Sequence, residues 1–344
     1  MHEALFWEPA AGGVIRCGLC RFYCQIPCGG RGRCGVRENR NGRLHLLAYG
    51  RCVAANSDPV EKKPLYHCGP GSRSFSIATV GCNFHCLHCQ NAGISQWRDA
   101  TSSPPGEPLL PQQIVRQAQV SRCHSIAYTY TEPTIFYEYA RDTALLARQV
   151  GLANLFVSNG YMSPEVIDDA APWLDAANID LKGFDAEFYR RVTGGELTGV
   201  LDTLRHLKRR GIWLEVTTLV IPGYNDDEVQ LRGIARFIAE ELGEETPWHV
   251  TAFFPTYRLR QVPPTQAASL IFARNIGLKA GLKHIYLGNL PGLDADVTVC
   301  PSCAEVVIRR QGFSLEENLL REGKCPFCDV SLAGLWSLSS HPKE

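Results

Sequence analysis

Three cysteines in one short loop are the side chains whose type and spacing point most directly to chemistry. Cys82, Cys86 and Cys89 have the spacing C-x3-C-x2-C. A loop of this kind can supply three thiolates to a cluster of four irons and four sulfides, which leaves one iron without a protein ligand. A small molecule can bind that iron, so the loop predicts a reactive iron–sulfur site. A zinc knuckle or a set of core cysteines is the alternative, and zinc is disfavoured because its sites use four ligands in paired spacing.

The elements that must position this loop are short strands. An apolar run at residues 74–80 ends at Gly81, directly before the first cysteine. From about residue 74 to 292, short apolar runs alternate with amphipathic stretches, which indicates repeated βα units and a parallel α/β sheet. We predict six strands, near residues 75–80, 125–131, 152–158, 176–182, 212–220 and 248–254. Six units are too few to close an eight-stranded barrel, so we predict a partial (β/α)6 barrel with the cysteine loop at the carboxyl edge of the sheet.

Strand alternation sorts the polar side chains of these strands onto one face. In residues 176–182, the polar set Asn178, Asp180 and Lys182 shares one face, whereas Ile179 and Leu181 share the other. A fully buried parallel strand is expected to be apolar on both faces. The polar face therefore predicts a cavity that holds a polar ligand. By the same parity we predict a substrate pocket lined by Tyr128, Tyr130, Asn178, Glu215 and His249.

Several runs of the sequence resemble the radical S-adenosylmethionine (SAM) superfamily. Within it, the chain is similar to glycyl-radical-enzyme activases, which include pyruvate formate-lyase activating enzymes, and closer still to the radical SAM enzymes of the AmmeMemoRadiSam system. The runs that carry the resemblance are DPVEKKPLYH (58–67), ATVGCNFHCLHCQN (78–91), YTYTEPTIFYEY (128–139), SNGY (158–161), DLKGF (180–184) and LVIPGYND (219–226).

The resemblance implies a [4Fe–4S] cluster on the three cysteines and SAM on its open iron. Matched motif by motif, Thr131 and Glu132 stand at the SAM amino group, and Asp180 and Lys182 at its ribose and carboxylate. Pro222 falls where the adenine is flanked. These residues are the SAM contacts that the resemblance predicts.

The chain departs from the family pattern in two places. The pattern C-x3-C-x-Φ-C usually has an aromatic residue at Φ, and here that position is His88, which still offers a flat ring to the adenine side of SAM. Activases usually have Asp-Thr-Asn-Gly at the end of the third strand, where this chain has Val157, Ser158, Asn159 and Gly160. Ser158 is predicted to contact the cofactor, but the missing carboxylate puts a monovalent-cation site beside SAM in doubt.

Two C-x2-C pairs near the C-terminus have the spacing of a zinc ribbon. The pairs are separated by 21 residues, and a rubredoxin-like iron site is the main competitor. A module of about 40 residues builds little core without metal, so we predict structural zinc here. Its ligands are Cys300, Cys303, Cys325 and Cys328.

A third set of cysteines lies near the N-terminus with the spacing C-x2-C-x3-C-x9-C. The set consists of Cys17, Cys20, Cys24 and Cys34. Zinc and an auxiliary iron–sulfur cluster are both compatible with this spacing. Residues 1–51 also contain eight arginines against three glutamates, so this region has an excess of positive charge. The excess is compatible with a solvated face, with a shell around thiolates, or with a contact to an anionic partner. We therefore predict three domains: a Cys-rich module at 1–73, a radical SAM core at 74–293 and a zinc-ribbon-like module at 294–344.

Composition limits the class of protein. The chain has 344 residues, 45% of them hydrophobic, and its 35 basic residues balance its 35 acidic ones. This balance gives no global field for nucleic acid or membranes, and the sequence has no apolar run of about 18 residues. With 15 cysteines and no secretory signal at the N-terminus, the consistent expectation is a reducing cytoplasm in which metal holds the thiolates.

The prediction is thus a radical SAM enzyme that cleaves SAM reductively to a 5′-deoxyadenosyl radical and abstracts hydrogen from a substrate. In one alternative the substrate is a small molecule or modified residue, handled with Memo-like and AMMECR-like partner proteins. In the other it is the backbone of a glycyl radical enzyme. Either requires an electron donor of the flavodoxin or ferredoxin type. A zinc-dependent nucleic-acid adaptor is a remote alternative, because it gives no reason for polar strand faces.

Overall fold

A computed structural model describes residues 2–99, 102–290 and 296–338. The predicted boundary at 293–294 lies outside these residues. Residues 2–52 form small antiparallel sheets from seven short strands: β1 His2–Glu3, β2 Trp7–Pro9, β3 Ile15–Cys17, β4 Gln25–Ile26, β5 Arg37–Arg40, β6 Arg43–Leu46 and β7 Arg51–Cys52. The sheet orders are β1-β6-β5 and β2-β3-β4. A buried ion pair between Arg37 and Glu138 joins this region to the core domain.

The core domain is built on a long, mostly parallel sheet. The strands that follow in the chain are β8 Ala54–Pro59, β9 Arg73–Ala78, β10 Glu107–Pro108, β11 Ser125–Tyr128, β12 Ala153–Ser158, β13 Ala176–Asp180, β14 Trp213–Val220, β15 Trp248–Ala252 and β16 Ile285–Gly288. Strand β10 pairs with β7. The other eight form one sheet in the order β16-β15-β14-β13-β12-β11-β9-β8, in which only β8 is antiparallel to its neighbour.

All six predicted strands are present, and the sheet extends beyond them on both sides. The short strand β16 adds a seventh parallel member, and β8 pairs along its whole length with β9. Residues 54–73, which we assigned to the N-terminal module, therefore pack with the core domain. The reason is that β8 has no large apolar residue and sits at an edge, so its sequence carries no apolar strand pattern.

Helices connect successive strands of the core domain. They are α1 Ala92–Ser95, α2 Pro111–Val120, α3 Tyr137–Gln149, α4 Pro164–Ala170, α5 Ala186–Phe188, α6 Leu197–Arg209, α7 Glu228–Phe237 and α8 Ala267–Lys279. The spacing of Asn225 and Glu228 predicts a capping box at the start of α7, but Asp227 caps the helix instead by accepting from the Gln230 N–H at 3.0 Å. No helix in the described ranges combines the length and apolar character needed to cross a bilayer.

The C-terminal residues form a small sheet that packs under the core domain. Its strands are β17 Thr298–Val299, β18 Val306–Gln311 and β19 Ser314–Asn318. Arg310 of β18 is buried, and its guanidinium donates to the Tyr66 carbonyl at 2.7 Å and lies 3.5 Å from Glu61. The main-chain N–H of Leu335 donates to the His67 carbonyl at 2.7 Å. These contacts hold the C-terminal sheet against residues that precede β9.

Candidate cluster and cofactor site

The loop with the three predicted cluster ligands leaves the carboxyl edge of the sheet directly after β9. Its backbone is fixed by bonds to the chain beyond β13: the His85 N–H donates to the Thr193 carbonyl at 2.8 Å, and the Leu87 N–H donates to the Val192 carbonyl at 2.9 Å. Cys86 is buried, whereas the other two cysteines are partly exposed. The loop therefore presents three thiols from a braced backbone to the edge where parallel folds bind their ligands.

Hydrogen-bond donors already converge on these thiols. The Asn159 side-chain amide lies 3.7 Å from Cys82 Sγ, and Ser95 Oγ lies 3.0 Å from Cys89 Sγ. Burial raises the pKa of the Cys86 thiol to about 12, while nearby Lys182 acts in the opposite direction. A buried thiolate is costly unless a metal or a cation compensates its charge. The site thus has the donors and the cation that a bound anionic cluster would use.

Lys182 and His88 lie together next to the cysteine loop. Lys182 Nζ is 2.7 Å from Asp180 Oδ2. Burial disfavours the Lys182 charge, yet Asp180 and the Cys86 thiol raise its pKa overall. His88 is buried, its pKa is lowered to about 3 by burial and by Lys182, and its Nδ1 has no hydrogen-bond partner. A neutral imidazole with an orphaned nitrogen fits a site that receives a polar ligand.

Glu132 is buried among donors from its own chain. Its Oε1 accepts from the main-chain N–H and hydroxyl of Thr134 and from Ser158 Oγ at 2.8 Å. Its Oε2 accepts from the Asn159 N–H at 2.8 Å. Thr131 donates its hydroxyl to the Thr79 carbonyl at 2.9 Å. Glu132 therefore orders the end of β12, and through Asn159 it reaches Cys82; its predicted contact with the SAM amino group stays a prediction.

Asn225 is a site-building residue that sequence reasoning assigned to a helix cap. It is buried, and its amide donates to the Lys182 carbonyl at 2.6 Å and to the Leu219 carbonyl at 2.8 Å. Its Oδ1 accepts from the Ile221 N–H at 2.6 Å. These hydrogen bonds of Asn225 thus hold the loop that contains Pro222 against the end of β13. No local sequence pattern predicts the bond from Asn225 to the Lys182 carbonyl, because the two residues are far apart in the sequence.

The amino edge of the sheet is closed by residues 58–68, here called the floor segment. Leu65 and Cys68 are buried in an apolar cluster with Ala153 and Ala176, the first residues of β12 and β13. Leu338 from the C-terminal region packs in the same cluster. The floor segment and Leu338 therefore cover the edge of the sheet that lies opposite the cysteine loop.

The floor segment also satisfies polar side chains that we had predicted to line a substrate pocket. Asn178 donates to the Pro64 carbonyl at 2.7 Å. Glu215 is fully buried and accepts from the main-chain N–H groups of Tyr66 at 2.9 Å and His67 at 2.8 Å. The pocket prediction is thereby corrected for Asn178 and Glu215, because their polar partner is the protein's own backbone.

His249 belongs to the same buried network. Its Nε2 lies 2.6 Å from Glu215 Oε2, and its ring packs edge-on against Tyr66. The neighbouring His67 ring bonds the Tyr286 hydroxyl at 2.6 Å through Nε2 and the Ala333 carbonyl at 2.8 Å through Nδ1. Burial lowers the pKa of His67 to about 3. His249 therefore belongs to a buried network with Glu215 and Tyr66, which also corrects its predicted pocket role, and His67 joins this network to the C-terminal region.

The two tyrosines that we predicted to line the pocket, Tyr128 and Tyr130, have different partners and do not line a common cavity. The Tyr128 hydroxyl donates to Asn154 Oδ1 at 3.0 Å, and the Asn154 amide donates to the Ala144 carbonyl of α3, so Tyr128 faces the helices. Tyr130 has φ = +63° and bonds Asp58, whose carboxylate also holds Lys63 at 2.7 Å. Strict alternation fails here because β11 ends at Tyr128 and the positive φ reverses the next side chains.

The C-terminal cysteines gather as a compact group. The four sulfurs of Cys300, Cys303, Cys325 and Cys328 lie within 4.8 Å of one another, with separations of 3.6 Å between Cys300 and Cys328 and 3.7 Å between Cys303 and Cys325. Zinc–sulfur bonds of about 2.3 Å in a tetrahedron place sulfurs a little under 4 Å apart. The donor set and its dimensions fit a single four-coordinate metal ion.

Comparison with known proteins identifies relatives of the whole chain and of its core domain. The model of the Radical SAM superfamily matches residues 76–232. An uncharacterized protein of Methanocaldococcus jannaschii is 44% identical over 334 residues, which are 95% of this chain and 98% of the other. A putative glycyl-radical enzyme activating enzyme of the same organism is 23% identical, with 64% and 80% of the two chains covered.

Two further proteins are similar to the core domain. The 7-carboxy-7-deazaguanine synthase of Thermococcus kodakarensis is 25% identical over 64% of this chain and 90% of its own. The crystal structure of Streptococcus suis SuiB bound to the precursor peptide SuiA superposes with a TM-score of 0.51 at 11% identity, over 69% of this chain and 52% of SuiB. At that identity the likeness concerns the fold of the core domain.

Proposed function

Because this chain belongs to the radical SAM superfamily, we propose that Cys82, Cys86 and Cys89 hold a [4Fe–4S] cluster at which SAM is cleaved. A cluster held by these residues would supply the electron for reductive cleavage of SAM to methionine and a 5′-deoxyadenosyl radical. The observation that carries the proposal is the braced loop of three thiols beside Lys182 and an unpartnered His88 nitrogen. The substrate is then the molecule from which that radical takes a hydrogen atom.

The chain's own residues bind and orient SAM in this proposal. Lys182, pre-aligned by Asp180 at 2.7 Å, is proposed to bind the methionine carboxylate. His88 is proposed to stack beside the adenine and to offer Nδ1 to a polar atom of SAM. The loop with Pro222, which Asn225 holds in place, is proposed to flank the same adenine ring. Glu132 and Ser158 hold Asn159 against the cluster ligand Cys82. Rigid positioning of this kind is what orientation of a reactive species requires.

The outer modules complete the architecture that we propose. The sheet with its outer helices is a partial (β/α)6 barrel, extended at its edges by β8 and β16. The four C-terminal sulfurs hold structural zinc, since their spacing matches zinc–thiolate geometry. The floor segment closes the amino edge, so SAM and substrate enter from the carboxyl edge, where the cysteine loop lies.

The substrate class that we propose first is a small molecule or modified residue delivered with Memo-like or AMMECR-like partner proteins, because runs such as residues 58–67 and 219–226 resemble the AmmeMemoRadiSam enzymes. Activation of a glycyl radical enzyme is the second candidate, because relatives named as activating enzymes match the core domain. An electron donor of the flavodoxin or ferredoxin type is needed in both. The two candidates differ in whether the hydrogen comes from a protein backbone or from a free or partner-bound substrate.

A product assay on the full-length protein tests the function. Anaerobically reconstituted protein with dithionite and SAM is expected to release 5′-deoxyadenosine and methionine in equal amounts, measured by liquid chromatography. Addition of partner proteins with carbon-bound deuterium should then place deuterium in 5′-deoxyadenosine if a C–H group of the partner is the source. Reconstituted protein with full iron content and no 5′-deoxyadenosine would contradict the proposal.

The Lys182→Met variant is expected to bind SAM about ten- to a hundredfold more weakly than the wild type. A charge-assisted hydrogen bond contributes about 1.5–3 kcal/mol, which corresponds to one to two decades in the dissociation constant. Iron content should stay at the wild-type level, because the lysine does not ligate iron. Equilibrium dialysis with labelled SAM under anaerobic conditions measures the change.

Leu181→Met is the matched control for this variant. Leu181 is fully buried in the apolar core on the opposite face of the same strand end. A volume-conserving swap there costs less than about 1.5 kcal/mol of stability and leaves SAM affinity unchanged. Equal losses of affinity in both variants would show that the inward and outward assignment, and the SAM site built on it, is incorrect.

A further inference from the structure

Three of the N-terminal cysteines lie at the tip of one hairpin. Strands β3 and β4 pair, and the Cys17 N–H donates to the Cys24 carbonyl at 2.9 Å, which closes the tip. Cys20 lies between them in a turn closed by the Tyr23 N–H at 3.1 Å. The three thiols span eight residues with spacing x2 then x3, the reverse of the x3 then x2 spacing of the loop at Cys82. The hairpin tip is thus built to the same scale as the cluster loop.

The fourth cysteine completes the group from a separate turn. Cys34 lies in a turn closed by the Gly35 N–H on the Gly32 carbonyl at 2.9 Å. Cys17, Cys20 and Cys34 are 6–8% exposed. Burial raises the pKa of the Cys34 thiol to about 11, and its Cys17 and Cys24 neighbours raise it further. A Cβ at Gly32, in the turn that contains Cys34, would lie 3.9 Å from Cys24 Sγ, so this turn packs against the hairpin tip.

The dimensions of this group differ from those of a site for one metal ion. Among the residues that the structure describes, the C-terminal cysteines are the group whose ligand atoms gather around a single-ion position. Among the described residues, neither the four N-terminal thiols nor the three thiols at Cys82, Cys86 and Cys89 form such a single-ion group. A cluster of four irons and four sulfides is larger than one zinc ion, so it suits thiolates that are farther apart.

The N-terminal group abuts the loop of the first cluster. Gly81, at φ = +97°, has no side chain, and a Cβ there would meet the Cys34 carbonyl oxygen at 2.7 Å. Arg98 donates to the carbonyls of both Cys34, at 3.4 Å, and Cys82, at 3.1 Å. Arg33, from the same turn as Cys34, donates to the Asn83 carbonyl at 3.1 Å. One guanidinium therefore spans the distance between the two cysteine sites.

We propose that Cys17, Cys20, Cys24 and Cys34 hold a second [4Fe–4S] cluster that relays electrons to the cluster at Cys82, Cys86 and Cys89. With four thiolates this cluster has no open iron, so it binds no SAM and transfers electrons only. A low-potential donor of the flavodoxin or ferredoxin type reduces it by one electron, and it returns to its oxidised state when that electron passes on. The relay transfers an electron without forming or breaking a covalent bond and without moving a proton. This inference rests on the proposed function, because the electron acceptor is the cluster at Cys82, Cys86 and Cys89.

Metal analysis of anaerobically reconstituted full-length protein tests the site itself. The wild type is expected to contain about eight irons and one zinc per chain. Cys20→Ala and Cys24→Ala should each retain about four irons, whereas Cys28→Ala, in an exposed position of the same module, should retain all eight. Zinc in the N-terminal group, or full iron in both alanine variants, would overturn the proposal.

The first cluster's ligands provide a complementary variant. The triple change of Cys82, Cys86 and Cys89 to alanine should keep about four irons. On reduction it should give an electron paramagnetic resonance signal that SAM does not alter. A triple variant without iron would show that the N-terminal group holds no cluster of its own. Because this measurement needs no SAM cleavage, it separates the second site from the proposed enzymatic function.

The relay is tested by comparing two reductants. For Cys24→Ala, the rate of 5′-deoxyadenosine release driven by a flavodoxin, divided by the rate driven by dithionite, should fall at least about tenfold. The ratio for Cys28→Ala should equal that of the wild type. An unchanged ratio in Cys24→Ala would show that the second cluster is structural. A wild type that releases no product with either reductant would instead refute the enzymatic function.

Discussion

Cys86→Ala is expected to lower 5′-deoxyadenosine release by at least about a thousandfold. Cys86 is the buried member of the three predicted ligands, and an alanine methyl group cannot replace its thiolate. The fold should survive, because the loop is braced by main-chain bonds at His85 and Leu87 on either side. The measurement is product release per chain under dithionite, together with iron content and circular dichroism.

Cys123→Ala is the matched control for this result. Cys123 is also buried, but its sulfur lies 3.2 Å from Ser57 Oγ at the far side of the sheet from the cysteine loop, and it belongs to none of the three cysteine groups. Its replacement should leave iron content and product release at the wild-type level. Wild-type release from Cys86→Ala would show that the cluster is held elsewhere.

Glu215→Ala is expected to lower the free energy of unfolding by at least about 4 kcal/mol. The carboxylate accepts from two floor N–H groups, from Trp213 Nε1 at 3.0 Å and from His249. Each buried donor left without an acceptor costs about 1–3 kcal/mol, and removal of one partner of a buried charged pair costs about 3–5 kcal/mol. Urea unfolding of the apoprotein, followed by circular dichroism, measures the loss.

Glu240→Ala, on an exposed surface, is the control and should change stability by less than about 0.5 kcal/mol. The comparison also separates the floor from a substrate pocket. If Glu215 held a substrate instead, alanine would reduce turnover and leave the unfolding free energy near its wild-type value. The contacts of Asn178 with Pro64 predict the same behaviour, in smaller degree, for Asn178→Ala.

Those features that depend on short stretches of sequence could be predicted. Six strands followed from apolar periodicity, and the position of the Cys82 loop directly after β9 followed from the apolar run before it. In β13 the alternation correctly separated Asp180, which pairs with Lys182, from Ile179 and Leu181, which are buried in the core. Each of these results depends on residues that are neighbours in the chain.

The floor segment could not be predicted, because its partners are distant in sequence. A polar face on a buried strand has the same pattern whether its partner is a ligand or a backbone N–H group, so Glu215 and Asn178 suggested a pocket. Tyr128 was misplaced because alternation is reliable only to the end of a strand, and β11 ends at that residue. The bond of Asn225 to the Lys182 carbonyl is likewise visible only in three dimensions.

The contact between the floor segment and Arg310 has a consequence for biosynthesis. The partners Tyr66 and Arg310 are 244 positions apart, so a ribosome working at 5–20 residues per second makes the second roughly ten to fifty seconds after the first. During that interval the floor segment has neither Arg310 nor the Leu335 N–H to hold it. All strands of the main sheet through β16 can therefore be synthesised while the floor segment is still exposed to water. Packing of the C-terminal region against the floor segment is therefore among the last events of folding.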